Sequence, residues 1–168
     1  LFDGERPLFE LVENLKENRS LDNIPNLIHF SEGNIRANNI LPPEPIDSLP
    51  TPDFDGLPLD SYLSPSLQLP ILSSKGCYWH KCAFCTHSLG YGRGYQTRHP
   101  SSVVNDIRTL SEKYGAIHFS FADECISPKS ISHLSDEINR SNIKARFSAN
   151  IRLEKQFSEE LCVKIANS

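Results

Sequence analysis

The sequence contains no methionine, not even at its first position, so the chain reads as a fragment of a longer protein. It has no apolar run approaching the roughly 18 residues that a membrane-crossing helix needs, and no membrane contact is expected. The opening Leu1-Phe2-Asp3-Gly4-Glu5 is acidic and lacks the regions of a signal peptide. Acidic residues are missing altogether from 61–105, which carries Lys75, Lys81, Arg93 and Arg98. By contrast, residues 1–60 hold twelve acids against four bases, and residues 106–168 balance nine against nine. A focused basic stretch favours an anionic partner: a thiolate-bound metal group, a carboxylate or a nucleic acid. A solvated basic loop is the plainer alternative. An even cysteine count is missing too: there are five, three of them within nine residues. Secreted disulfide scaffolds pair and spread their cysteines. The expected compartment is therefore reducing and cytoplasmic, with Cys125 and Cys162 as buried apolar thiols.

What is present is an ordinary globular composition, 38% hydrophobic and 23% charged over 168 residues. That length suits one domain, or one domain and part of another. Leu8, Leu11, Val12 and Leu15 recur at helical spacing and predict a helix over 7–18, with Pro7 in its first turn. Residues 26–30 and 34–37 flank Ser31-Glu32-Gly33 and predict a hairpin. Residues 41–70 hold eight of the twelve prolines, which excludes a long helix or a central strand. This stretch reads as an ordered connector anchored by Phe54, Leu57, Leu59, Tyr62 and Leu63. Beyond it, strands over 69–73, 116–122 and 145–151 alternate with helices over 101–114, 127–140 and 158–166. In the last helix Ser158 is the expected cap, and Leu161, Cys162 and Ile165 face inward. Pro70 marks a strand start or an edge strand, and His118 reads as structural. Such alternation predicts an α/β fold with a parallel sheet. Functional sites in these folds sit at the carboxyl ends of the strands.

Two features fall at such ends. Asp123-Glu124 follows the second strand. The loop Gly76-Cys77-Tyr78-Trp79-His80-Lys81-Cys82-Ala83-Phe84-Cys85 follows the first, with C-x4-C-x2-C spacing. Soft thiolate ligands select zinc, copper(I) or iron–sulfur clusters. A closed zinc site needs four ligands, and His80 or His87 could supply the fourth. A cluster on three cysteines leaves one iron open. Spacing alone leaves zinc and cluster equal.

The same loop resembles the signature of the radical S-adenosylmethionine (radical SAM) superfamily, in which an aromatic such as Phe84 precedes the last cysteine. The usual spacing is C-x3-C-x2-C, and this loop carries one extra residue after Cys77. Its Gly-Cys-Tyr-Trp opening looks like that of the cobalamin-binding-domain subgroup, which includes peptide-maturation members. Leu49-Pro50-Thr51-Pro52-Asp53-Phe54-Asp55-Gly56-Leu57 looks like the connector before the barrel in that subgroup. The resemblance implies three parts. Residues 1–40 would be the end of a smaller α/β cobalamin-binding-like domain, 41–68 the Pro-rich connector, and 69–168 the N-terminal half of a TIM-barrel-like radical SAM barrel, about three strand–helix units.

The resemblance also implies chemistry. Cys77, Cys82 and Cys85 would hold a [4Fe-4S] cluster whose open iron binds the amino and carboxylate groups of S-adenosylmethionine. Reductive cleavage of that cofactor would yield a 5′-deoxyadenosyl radical. The backbone near Phe84 would lie against the adenine. Ala122-Asp123-Glu124 stands where the family receives the methionine ammonium, through Asp123 or Glu124; a helix N-terminal acid is the alternative. Arg152 would pair with the cofactor carboxylate or a substrate, or lie at the surface. The lower-ligand histidine motif for cobalamin is not in this sequence, so cobalamin enters from the neighbouring connector alone. Methylation or peptide modification is the expected outcome, on a peptide or small molecule, with flavodoxin or ferredoxin as electron donor. Two alternatives stand beside this reading. One is a Cys3His zinc-binding interaction module. The other is an RNA-modifying radical SAM enzyme, against which the overall acidity weighs. An open edge on the third strand favours association or misfolding, so the piece alone is expected to be either marginally stable or dimeric.

Overall fold

The computed structural model describes residues 4–42, 44–86 and 94–168. His87 and Arg93 lie outside the described residues. The chain separates into two compact units, Leu1–Pro45 with Ala83–Arg93, and Ile46–Cys82 with Gly94–Ser168.

The first unit holds helix α1 (Glu5–Lys16) and the hairpin β1 (Ile28–Ser31) and β2 (Asn34–Ala37). The expected helix is therefore present two residues earlier than its spacing suggested. The hairpin turns through Glu32 and Gly33, at φ +51° and +79°, with Ser31 paired to Asn34. Two positive φ values in a two-residue loop match the twist of the flanking strands, and glycine takes the second without strain. The apolar face of α1 stays exposed, with Leu8, Phe9, Val12 and Leu15 open to solvent.

The second unit is an α/β body. Strand β3 (Gln68–Ile71) is followed by a two-residue ladder, β4 (Ser74–Lys75) against β5 (Gln96–Thr97), and then by α2 (Pro100–Tyr114). β6 (His118–Phe121), α3 (Pro128–Ser141), β7 (Arg146–Ser148) and α4 (Glu159–Ala166) complete it. β3, β6 and β7 form a parallel sheet in that order. The expected alternation of strand and helix is thus present as an open three-stranded parallel sheet. Alternate strand residues Leu69, Ile71, Phe119 and Phe121 enter the core with Val103, Ile107 and Leu110 of α2 and Ile131, Leu134 and Ile138 of α3. Burying such side chains stabilises the body by about 1.5–3 kcal/mol each. The opposite sheet face carries Gln68, Pro70, His118, Ser120, Arg146 and Ser148. Pro70 lies on an edge strand, where its missing N–H is tolerated.

Local chemistry sets the helix ends. Pro100 and Pro128 open α2 and α3, and the Ser127 hydroxyl accepts the Ser130 N–H at 3.1 Å. Ser158 caps α4 as expected, accepting from Leu161 N at 3.3 Å. Gly115 and Asn142 close α2 and α3 in the left-handed conformation.

Two expectations need correction. Cys162 is exposed, not a core thiol, because α4 turns only Leu161 and Ile165 of its apolar residues partly inward. In the connector, Phe54 and Leu59 pack on the core, whereas Leu57, Tyr62 and Leu63 are exposed. Phe54 is held by an edge-on contact with the Tyr114 ring, centroids 5.9 Å apart, and by its own amide donating to Tyr114 Oη. Asp53 and Asp55 meanwhile pair with Lys113.

Candidate functional site

The Cys77 loop leaves the carboxyl end of β3 and is pinched at its base. Ser74 pairs with Thr97 and Lys75 with Gln96, so Gly76 and Tyr95 leave a narrow neck side by side. Gly76 is needed there. It sits at φ +83°, and a Cβ on it would stand 3.0 Å from the Gly94 carbonyl oxygen.

The two acids after β6 fasten this neck. Asp123 is fully buried. Its carboxylate accepts from Ser73 N, Ser73 Oγ at 2.9 Å and Ser74 Oγ. Burial raises its pKa above the ordinary carboxyl value while those bonds pull the other way. Glu124 accepts the Gly76 N–H at 2.9 Å through Oε2. Both acids thus hold the loop's first turn, and the carboxylate of Asp123 is engaged on serines.

The segment after β7 fastens the next turn. The Tyr78 hydroxyl donates to Glu154 Oε1. Burial, then that bond, pushes the Tyr78 pKa far upward. The Tyr78 ring stands edge-on to Tyr95, centroids 5.7 Å apart, and the Tyr95 hydroxyl accepts the Ser127 N–H at 3.3 Å. Arg152 stacks on Trp79 with Cζ 3.3 Å from the ring centroid, a cation–π contact. Its Nη1 is buried without a hydrogen-bond partner, 3.8 Å from Glu154 Oε2. Lys81 Nζ lies 5.2 Å from the same ring.

Cys77 lies beside Cys125 in an isolated parallel β-bridge. Cys125 is buried; burial, then the neighbouring Cys77, raises its thiol pKa. All five cysteines are free thiols.

The structure therefore brings Cys77, Asp123, Glu124 and Arg152 to one end of the parallel sheet. Cys82 is exposed farther along the loop. Cys85 and Phe84 belong to the other compact unit, and Phe84 is exposed. Three thiols in one loop have the donor chemistry of an iron–sulfur or zinc site. Among the described residues, however, no three His, Cys, Asp or Glu side chains are gathered closely enough to hold a metal ion. His80 is exposed, at φ +50°.

Sequence reasoning missed Gly76, Ser73, Ser74, Tyr95, Cys125 and Glu154. A hint for Cys125 existed, since it follows the acid pair directly. Its partner was hidden, because the pairing offset slips from 50 between β3 and β6 to 48 between Cys77 and Cys125 (118 − 68 against 125 − 77).

No family model matches the chain. An uncharacterized methyltransferase of Pyrococcus horikoshii is 27% identical over 166 residues, 95% of this chain and 35% of that protein. Bacteriochlorophyllide d C-12(1)-methyltransferase of Chlorobaculum tepidum is 31% identical over 123 residues, 70% of this chain and 26% of that protein. Among solved structures, the cobalamin-dependent S-adenosylmethionine radical enzyme OxsB, with aqua-cobalamin and S-adenosylmethionine bound, matches 99% of this chain at TM-score 0.66 and 22% identity. OxsB with aqua-cobalamin alone matches at TM-score 0.67. The likeness to OxsB is one of fold. The chain spans 35% and 26% of the two methyltransferases and 25% of the OxsB chain.

Proposed function

We propose that this chain is the cluster- and S-adenosylmethionine-binding part of a radical SAM methyltransferase. One observation carries the reading. The Cys77 loop issues from the carboxyl end of a parallel strand, fastened by an acid pair and an arginine from the next two strand ends, in a fold shared with OxsB.

Cys77, Cys82 and Cys85 would hold a [4Fe-4S] cluster, which when bound supplies the one electron that cleaves the carbon–sulfur bond of S-adenosylmethionine. The chain's own residues do the rest. Asp123 braces Ser73 and Ser74 below the loop. Glu124 is the acid for the methionine ammonium, because its Oε2 already stands at the loop's first turn while the Asp123 oxygens are occupied. Arg152 Nη1, which makes no hydrogen bond and stands 3.8 Å from Glu154 Oε2, is the donor for the methionine carboxylate. Trp79 holds that guanidinium flat and shields it from water. The Phe84 backbone lies against the adenine.

Methyl transfer is the outcome we propose, because two relatives are named methyltransferases. Cobalamin as methyl carrier is proposed from OxsB, which holds aqua-cobalamin. Residues 1–40 then close its domain, and a small molecule or peptide is the acceptor. A flavodoxin or ferredoxin delivers the electron.

The test is anaerobic reconstitution of the chain with iron and sulfide. The expected product is brown and carries about four irons per chain, the content of a [4Fe-4S] cluster. Replacing Cys77, Cys82 or Cys85 by Ala abolishes that content. Stoichiometric zinc with no iron uptake overturns the proposal in favour of a Cys3His zinc module.

A further inference from the structure

The cluster reading uses Cys77 and leaves its neighbour without a role. Cys125 is buried and packed against a cysteine that is half exposed. The two are partners in a parallel bridge. Adjacent strands run about 4.8 Å apart, inside the Cα separation of about 4.4–6.8 Å that a disulfide accepts. Bridge partners also project their side chains to the same side of a sheet. The backbone around the pair is fastened from both sides, by Glu124 on Gly76 and by Glu154 on Tyr78.

We propose that Cys77 and Cys125 form a reversible disulfide when the chain meets a peroxide. The chemistry balances with the peroxide as the two-electron oxidant. The Cys77 sulfur attacks a peroxide oxygen, giving a sulfenic acid and one water. The Cys125 sulfur then displaces the hydroxyl, forming the S–S bond and releasing a second water. Both thiol hydrogens leave in water, and a dithiol restores the pair. Cys77 is the first sulfur oxidised because it is the more exposed, and Cys125 is the resolving one. Local spacing favours other pairings, such as Cys82 with Cys85, so the proposal singles out one pair among ten. If Cys77 is a cluster ligand, a point that rests on the function proposed above, the disulfide removes it from the ligand set.

The experiment treats the metal-free chain with hydrogen peroxide, alkylates the remaining thiols and maps peptides without reduction. The expected result is a linked Cys77–Cys125 peptide. Free thiols fall from the five present to three, and dithiothreitol restores them. Cys125→Ser forms no linked peptide and leaves Cys77 as a sulfenic acid, which dimedone traps, under the same dose. Cys125 recovered alkylated, while Cys77 joins Cys82 or Cys85, overturns the proposal; the wild-type map settles this even if the variant fails to fold. A second arm offers iron and sulfide to the oxidised and to the dithiol-treated chain. Uptake lost only in the oxidised chain shows the disulfide withdrawing a ligand, and equal uptake in both overturns that coupling. No uptake in either state, with the linked peptide present, supports the disulfide and sinks the cluster reading alone.

Discussion

Asp123 is a buried carboxylate whose oxygens are spent on three donors, the Ser73 amide and the two serine hydroxyls. Burial of a charge opposes folding unless such bonds offset it. Here the burial effect is the larger, since the folded pKa is raised above 3.8. The sign follows. A raised folded pKa means the group's contribution is fully present below its unfolded pKa and is lost as pH rises through the folded value. Asp123→Asn removes that dependence and turns an amide donor toward the Ser73 N–H, at a cost of about 1–3 kcal/mol. The advantage of the wild type over the variant is therefore greatest near pH 4 and shrinks toward neutrality. Urea unfolding of both proteins across that range measures it. A gap that widens with pH would mean the serine bonds outweigh burial.

At the scale of elements, the connector meets α2 at a buried ion pair. Arg98 bonds Asp106, with side chains 6% and 3% exposed. Thr51 Oγ1 donates to the other Asp106 oxygen at 2.6 Å. Arg98 Nη1 also reaches the Leu72 carbonyl at 3.3 Å, at the end of β3. One acid thus joins the connector, the helix and the strand that launches the loop. Removing one partner of a buried pair strands the other's charge, so Asp106→Ala destabilises this unit by about 3–5 kcal/mol. Thr51→Ala loses one hydrogen bond, about 1 kcal/mol. Chemical denaturation orders the two variants, and equal effects would show that Arg98 finds another partner. This pair also marks where sequence reading stops. Helices and strands were legible because their apolar periods match 3.6 and 2, and Ser158 was legible because a cap is a local pattern. Cys77 and the Asp123-Glu124 pair were legible as strand-end residues. Arg98 with Asp106, Tyr78 with Glu154 and Cys77 with Cys125 were not. Tyr78 with Glu154 and Cys77 with Cys125 join residues far apart in sequence, and Arg98 reaches Asp106 from outside the helix, so no periodic pattern encodes any of the three.

At the scale of the whole molecule, the parallel sheet of the described residues is unpaired along both β3 and β7. Parallel sheets are ordinarily covered and closed, and an open edge is a template for another chain. The two edges differ. β3 carries Pro70, which offers no donor and blunts pairing. β7 carries Arg146, Phe147 and Ser148 and has no such block. The apolar face of α1 adds Leu8, Phe9 and Leu15 to the exposed surface, each more than half exposed. Scattered apolar side chains are unremarkable, but a contiguous helix face favours association. The chain on its own is therefore expected to self-associate, with β7 as the first contact. Sedimentation velocity over a hundredfold concentration range tests this, and the weight-average mass should rise with concentration. Ser148→Lys puts a charge on the β7 edge strand and should shift the rise to higher concentration, whereas Leu8→Lys on α1 should leave it where it is. A constant monomer mass with a sharp, concentration-independent melt would overturn the expectation. If Leu8→Lys alone abolishes the rise, α1 rather than the sheet edge is the contact.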